Sequence, residues 1–174
     1  CNGEPAKVEV YARAAQVELF INGKSVGKKK VKKCRANFNT TYQNGEITAV
    51  SYDENGKEIN RYSLQTAGKD TVLQVRPEEK TVKPEGLAFI QLQYTDSKGI
   101  WKPMEKHNIK VTVENGVLKG LGSPAPYVKG NYTDHTVATY YGEAMAVVQA
   151  DGNGPVKVTV ADEERFYVAE IPCE

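Results

Sequence analysis

The stretch Val17-Glu18-Leu19-Phe20-Ile21-Asn22-Gly23-Lys24-Ser25 (VELFINGKS) holds the pattern on which the fold depends. Val17, Leu19 and Ile21 alternate with Glu18 and Phe20, and period two over a short run means a half-buried strand. Asn22-Gly23 follows at once. Both residues tolerate the positive φ that a type I′ turn requires, so the chain is expected to reverse there into a second strand.

The same grammar recurs along the chain. Val8 and Val10 alternate with Lys7 and Glu9; Ala88, Ile90, Leu92 and Tyr94 with Gln91 and Gln93. Ile109, Val111 and Val113 alternate with Lys110 and Thr112, and Val156, Val158 and Val160 with Lys157 and Thr159. Asn44-Gly45, Asn55-Gly56 and Asn115-Gly116 read as further hairpin signals, and Asp96–Gly99 and Asp151–Gly154 as turns. Turns spaced about 8–12 residues apart between alternating strands predict an all-β antiparallel sandwich rather than a parallel α/β sheet. Only Tyr11 to Gln16 has helical propensity, and it is too short to hold a helix alone. A boundary is expected at Ala67-Gly68-Lys69-Asp70, giving one small sandwich over 1–67 and a second over 68–174. About 67 residues make a thin core, so the first is expected to lean on neighbours.

Composition narrows the function classes. The 174 residues carry 23 Lys+Arg and 22 Asp+Glu, a net charge of +1. That balance gives no electrostatic reason to expect nucleic acid. The one basic run, Lys28, Lys29, Lys30, Lys32 and Lys33, reads as the solvated face of an edge strand, where lysines discourage strand addition. No apolar run approaches the roughly 20 residues that span a bilayer. The cysteines Cys1, Cys34 and Cys173 form no CxxC pair, and their odd number argues against a disulfide framework. Cys1 reads as a cut point within a longer chain, with the lipidated first residue of a lipoprotein as the alternative.

Strings that invite enzymatic readings fail on chemistry. Gly23-Lys24-Ser25 resembles the end of a phosphate-binding loop, but the first glycine of that loop should stand at 18, which is Glu18. Gly120-Leu121-Gly122-Ser123-Pro124-Ala125 mimics a dinucleotide fingerprint without the helix it must open, and reads as a proline-rich loop between strands. Asp151-Gly152-Asn153-Gly154 lacks the ligand and glycine that a calcium loop needs next and reads as a hairpin turn. His107 and His135 have no partner at metal-ligand spacing and are expected on the surface. No metal and no cofactor is expected. The aromatic residues offer one binding hypothesis. Trp101, Tyr127, Tyr132, Tyr140 and Tyr141 lie near one another in sequence, and aromatic faces stack on sugar C–H surfaces.

Two series of motifs carry a resemblance. VELFINGKSVGKKK (17–30) is followed by NGEITAVSYDENGKEINRYSLQTAG (44–68). This resembles the domain after the catalytic barrel in family 2 glycoside hydrolases such as bacterial β-galactosidases, with Ile21 and Asn44 as mild departures. Leu73 to Glu79, Leu87-Ala88-Phe89-Ile90, Val113-Glu114-Asn115-Gly116, Gly120-Leu121-Gly122-Ser123 and Thr139-Tyr140-Tyr141-Gly142 are similar to the next, immunoglobulin-like domain of those enzymes. The resemblance implies two consecutive immunoglobulin-like β-sandwiches, with the barrel of the same parent chain as partner. It also implies a secreted, periplasmic or surface location in a bacterium. The family's acid and nucleophile lie in the barrel, so no catalytic residue transfers here. The expected role is a non-catalytic accessory module, with carbohydrate binding or an adhesin-like surface role as alternatives.

Overall fold

Period-two alternation becomes strands throughout the computed structural model, which describes residues 2–127 and 130–174. Cys1 therefore lies outside the described residues. The chain divides into two compact units, Cys1–Thr66 and Ala67–Glu174.

The smaller unit contains β1 (Pro5–Tyr11), β2 (Gln16–Ile21), β3 (Lys24–Lys30), β4 (Arg35–Thr41), β5 (Glu46–Tyr52) and β6 (Glu58–Gln65). β1 and β4 pair as a two-stranded sheet, and the other four form a sheet in the order β3-β2-β5-β6. Every one of these pairings is antiparallel. Val17, Leu19, Ala36 and Phe38 form the buried centre, with Val8, Val10, Ile47 and Ala49 packed around them. The stretch from Tyr11 to Gln16 forms no helix: Tyr11 ends β1, Gln16 opens β2, and the residues at 12–15 bend between them. Asn22 and Gly23 adopt φ of 50° and 77°, the two left-handed angles a type I′ turn needs, and they join β2 to β3. Lys28, Lys29 and Lys30 fall on β3, the edge of its sheet, as their composition predicts, whereas Lys32 and Lys33 lie beyond the strand, in the turn that leads to β4. There Lys28 places its ammonium 3.4 Å from the Tyr52 ring centroid.

The larger unit contains β7 (Val72–Pro77), β8 (Leu87–Thr95), β9 (Asn108–Glu114), β10 (Gly116–Gly122), β11 (Thr136–Ala138), β12 (Glu143–Ala150), β13 (Val156–Ala161) and β14 (Phe166–Ile171). They form two four-stranded sheets, β10-β12-β8-β7 and β11-β9-β13-β14. The strand faces picked out by alternation are the core: Ala88, Ile90, Leu92 and Tyr94 pack with Ile109, Val111, Val156, Val158 and Val160 in one buried cluster.

Three turns differ from expectation. Asn44-Gly45 joins β4 to β5, Asn115-Gly116 joins β9 to β10, and Asp151–Gly154 joins β12 to β13; each pair of strands belongs to different sheets. These are sheet-to-sheet crossings, not hairpins. In neither of the two Asn-Gly pairs do both residues take the positive φ of a type I′ turn: Gly45 does without Asn44, and Asn115 does without Gly116. The first crossing is tied to the true hairpin: the Asn22 amide donates to the Asn44 carbonyl at 3.0 Å, and its oxygen accepts from the Glu46 N–H at 2.8 Å. At the second, the Asn115 side chain donates to the Pro155 carbonyl at 2.8 Å. Gly120-Leu121-Gly122 also departs from the expected loop by forming the end of β10.

Candidate functional site

Buried polar groups of the larger unit form two structural networks. Asp96 is 2% exposed and accepts from the N–H groups of Gly68 at 2.7 Å, Lys98 at 2.9 Å and Ile100 at 2.8 Å. The Gly68 bond and its two companions hold its carboxyl below the ordinary range against the opposing effect of burial. Its role is to close the turn after β8.

The second network centres on Glu105. One oxygen accepts from Lys102 at 2.9 Å and Thr71 at 3.1 Å, and the other faces His107 at 2.9 Å. The His107 ring lies 4.5 Å from that of Tyr94. The Tyr94 hydroxyl in turn donates to Asp162 at 2.7 Å. His107 is thus half-buried and engaged rather than on the surface. The grouping resembles a proton relay, but it meets none of the described grooves and includes no activated nucleophile. Its local signal, Glu105-Lys106-His107, lies in an irregular segment where period-two reasoning has no purchase.

Burial pushes the Glu105 carboxyl up, but bonds from His107, Lys102 and Thr71 outweigh it and bring the group down to about 2. The folded value lies below the ordinary 4.5, so this network stabilises fully above that pH and weakens as pH falls towards about 2. Glu105→Gln is therefore expected to flatten the acid limb of the melting curve across that window. Equal acid sensitivity in variant and wild type, measured by thermal melts at stepped pH, would contradict this.

The five candidate aromatics do not form one platform. Trp101 is 44% exposed and donates its indole N–H to the Tyr141 carbonyl at 2.9 Å. The Tyr140 and Tyr141 rings meet edge to face with centroids 4.5 Å apart. These three make one cluster beside the β8 and β12 ends. Tyr127 lines a 310 Å³ depression with Asn108, Asp134 and Thr136. Tyr132 lines a different groove of 520 Å³ on the outer face of the β10-β12-β8-β7 sheet, together with Gln91, Gly120, Gly122, Glu143 and Met145. Among the described residues no group of histidines, cysteines and carboxylates could hold a metal ion. Nor is any helix long and apolar enough to cross a membrane.

In the smaller unit the notable feature is an open side. Tyr62 and Leu64 of β6 stand opposite Ala49 and Ile47, on the face that points to the core, yet they are 69% and 57% exposed. Leu64 borders a 240 Å³ groove with Ala6, Val8, Ile21 and Ile47, and Tyr62 borders a smaller one with Val10, Tyr11 and Ala49. The two-stranded β1-β4 sheet is too narrow to cover all four strands below it.

Comparison with known proteins follows the same two-part division. Residues 3–60 match a domain of unknown function, DUF4982, and residues 72–165 match the glycoside hydrolase family 2 C-terminal domain 5. The chain is 29% identical over 171 residues to the β-galactosidase BoGH2A of Bacteroides ovatus, an alignment that covers 94% of this chain and 20% of that protein. A crystal structure of a glycosyl hydrolase family 2 member from Bacteroides cellulosilyticus superposes with a TM-score of 0.92 at 26% identity, covering 99% of this chain and 23% of that one. A β-glycosidase of Bacteroides vulgatus shares the fold, with a TM-score of 0.87 at 22% identity over 98% of this chain and 23% of its own. The chain thus spans about a fifth to a quarter of the length of these relatives. Matched over more than half its residues, the chain belongs to the glycoside hydrolase family 2 C-terminal domain 5 family.

Proposed function

We propose that the chain is a non-catalytic accessory module of a bacterial, β-galactosidase-like glycoside hydrolase, and that its smaller unit docks on the catalytic barrel of the same parent chain. The observation that carries this reading is the open side of the smaller unit. Tyr62 and Leu64 belong by register to a core face but are uncovered. Burying each against a partner stabilises by about 1.5–3 kcal/mol, a large gain for a unit with so small a centre. The non-catalytic part rests on the match of residues 72–165 to a C-terminal domain of the family and on the resemblance, which puts the acid and the nucleophile in the barrel.

The larger unit reads as immunoglobulin-like. β7-β8-β12-β10 follows the A-B-E-D order and β9-β13-β14 the C-F-G order, with β11 added beside β9. The relatives from Bacteroides support a bacterial parent, and an exported, periplasmic or surface location is what the family resemblance implies for it.

The experiment is a double substitution, Tyr62→Asp with Leu64→Asp, made in this chain alone and in a longer protein that includes the barrel. Both positions are exposed, so the chain alone is expected to keep its melting temperature. The longer protein is expected to lose the stabilisation of this module, seen as a separate, earlier transition. An unchanged melting profile in the longer protein would overturn the docking reading.

A further inference from the structure

We infer that the groove on the outer face of the β10-β12-β8-β7 sheet is a non-catalytic binding site for a neutral pyranoside, with Tyr132 as its stacking platform. The site begins with two glycines. Gly120 and Gly122 lie across from Val147 and Met145 of β12, so β10 offers bare backbone where outer-face side chains would stand. A Cβ on Gly122 would come within 2.9 Å of two Tyr132 ring carbons. The absence of that carbon lets the ring settle against the strand. The Leu121 N–H also holds the Tyr132 carbonyl at 2.6 Å, which fixes the backbone from which the ring extends. Tyr132 is nevertheless 65% exposed, so ring surface remains open beside the groove.

Polar groups share the trough with this ring. Gln91 and Glu143 line it, and Met145 lies between the glycines and Gln91. Glu143 is held in place from one side only: the Gln93 amide donates to its Oε1 at 2.7 Å, and Arg76 donates to Gln93 at 2.7 Å. Among the described residues neither Glu143 Oε2 nor the Gln91 amide has a protein partner. An open aromatic surface sharing one groove with an amide and with a carboxylate braced through its other oxygen matches a pyranose ring, which presents C–H groups on one face and hydroxyls around its rim. The volume of 520 Å³ suits one or two sugar rings.

Charge selects among sugars. Glu143 is the only acidic or basic side chain among the described residues that line the groove. A uronate carboxylate would meet like charge there, whereas a neutral hexose would donate hydroxyl protons to it. The inference concerns the larger unit and does not depend on how the smaller one docks.

The test is an NMR titration of the full chain with lactose, with cellobiose and, separately, with glucuronate. Either neutral disaccharide is expected to shift amide signals of Gly120–Ser123, Tyr132 and Met145, and glucuronate is expected to leave them unmoved. Tyr132→Ala should weaken the response about tenfold or more, equivalent to losing about 1.4 kcal/mol of stacking. Because Tyr132 is exposed, the dispersed spectrum should survive. Trp101→Ala, in the separate cluster, should leave the titration unchanged. Silence with both neutral disaccharides, shifts that persist undiminished in Tyr132→Ala, or glucuronate binding as strongly as lactose would each overturn the assignment.

Discussion

Phe38→Ala is expected to unfold the smaller unit while the larger one stays folded. Phe38 is 2% exposed and is the largest side chain in the buried centre that it forms with Val17, Leu19 and Ala36. It stands opposite Val8 across the β1-β4 ladder, so it is what the narrow sheet presses onto the wider one. Removing a buried phenylalanine costs about 3–5 kcal/mol. Whole domains are stable by only about 5–15 kcal/mol, and a unit of this size lies at the low end. Calorimetry is expected to show loss of one transition with the other retained. A normal melt would mean that the β1-β4 sheet is held by something other than this ring.

Asp162→Ala should have the corresponding effect on the larger unit. The Asp162 side chain is 1% exposed. It accepts from the Tyr94 hydroxyl at 2.7 Å and from the N–H groups of Glu164 at 2.8 Å and Arg165 at 2.7 Å. Arg165 adds an ion pair at 3.4 Å. Alanine would strand a hydroxyl on Tyr94, a residue with 0% exposure at the centre of the core. Breaking such a buried, charged network costs about 3–5 kcal/mol. Tyr94→Phe deletes the donor instead and leaves Asp162 its other partners, so it should cost only about 1–2 kcal/mol. Urea denaturation measures both. Equal and small shifts in the midpoint would show that the network is incidental to stability.

The contrast between these two sites shows what the sequence can reveal. Alternation found Val17, Leu19, Ile90 and Val158 because burial on one face of a strand repeats every second residue. Asn22-Gly23 was legible because both positive angles are set within the turn itself. Sheet partnership was not legible: Asn115-Gly116 has equally good turn chemistry but sends the chain to the opposite sheet, a choice made by packing far away. The bond from Tyr94 to Asp162 spans 68 positions and leaves no local trace. Sequence proximity suggested that Trp101, Tyr132 and Tyr141 act together. The strands instead give Trp101 and Tyr141 to one cluster and Tyr132 to a groove prepared by Gly120 and Gly122. That groove had a sequence signal, two glycines spaced to share one face of a strand, but it shows only once Gly116–Gly122 is known to be a strand. The open side of the smaller unit was foreshadowed by its length alone; which residues it bares depends on the width of the β1-β4 sheet.

Hydrogen exchange tests the docking proposal most directly. β6 pairs with β5 alone, so the amides on its other edge face solvent in this chain. The experiment compares Glu58–Gln65 and Pro5–Tyr11 in the chain by itself and in a longer protein carrying the catalytic barrel. If the open side is a docking surface, exchange in both strands should slow markedly in the longer protein, while β3 at the lysine-rich edge exchanges as before. Identical exchange in β1 and β6 with and without the barrel would contradict the account.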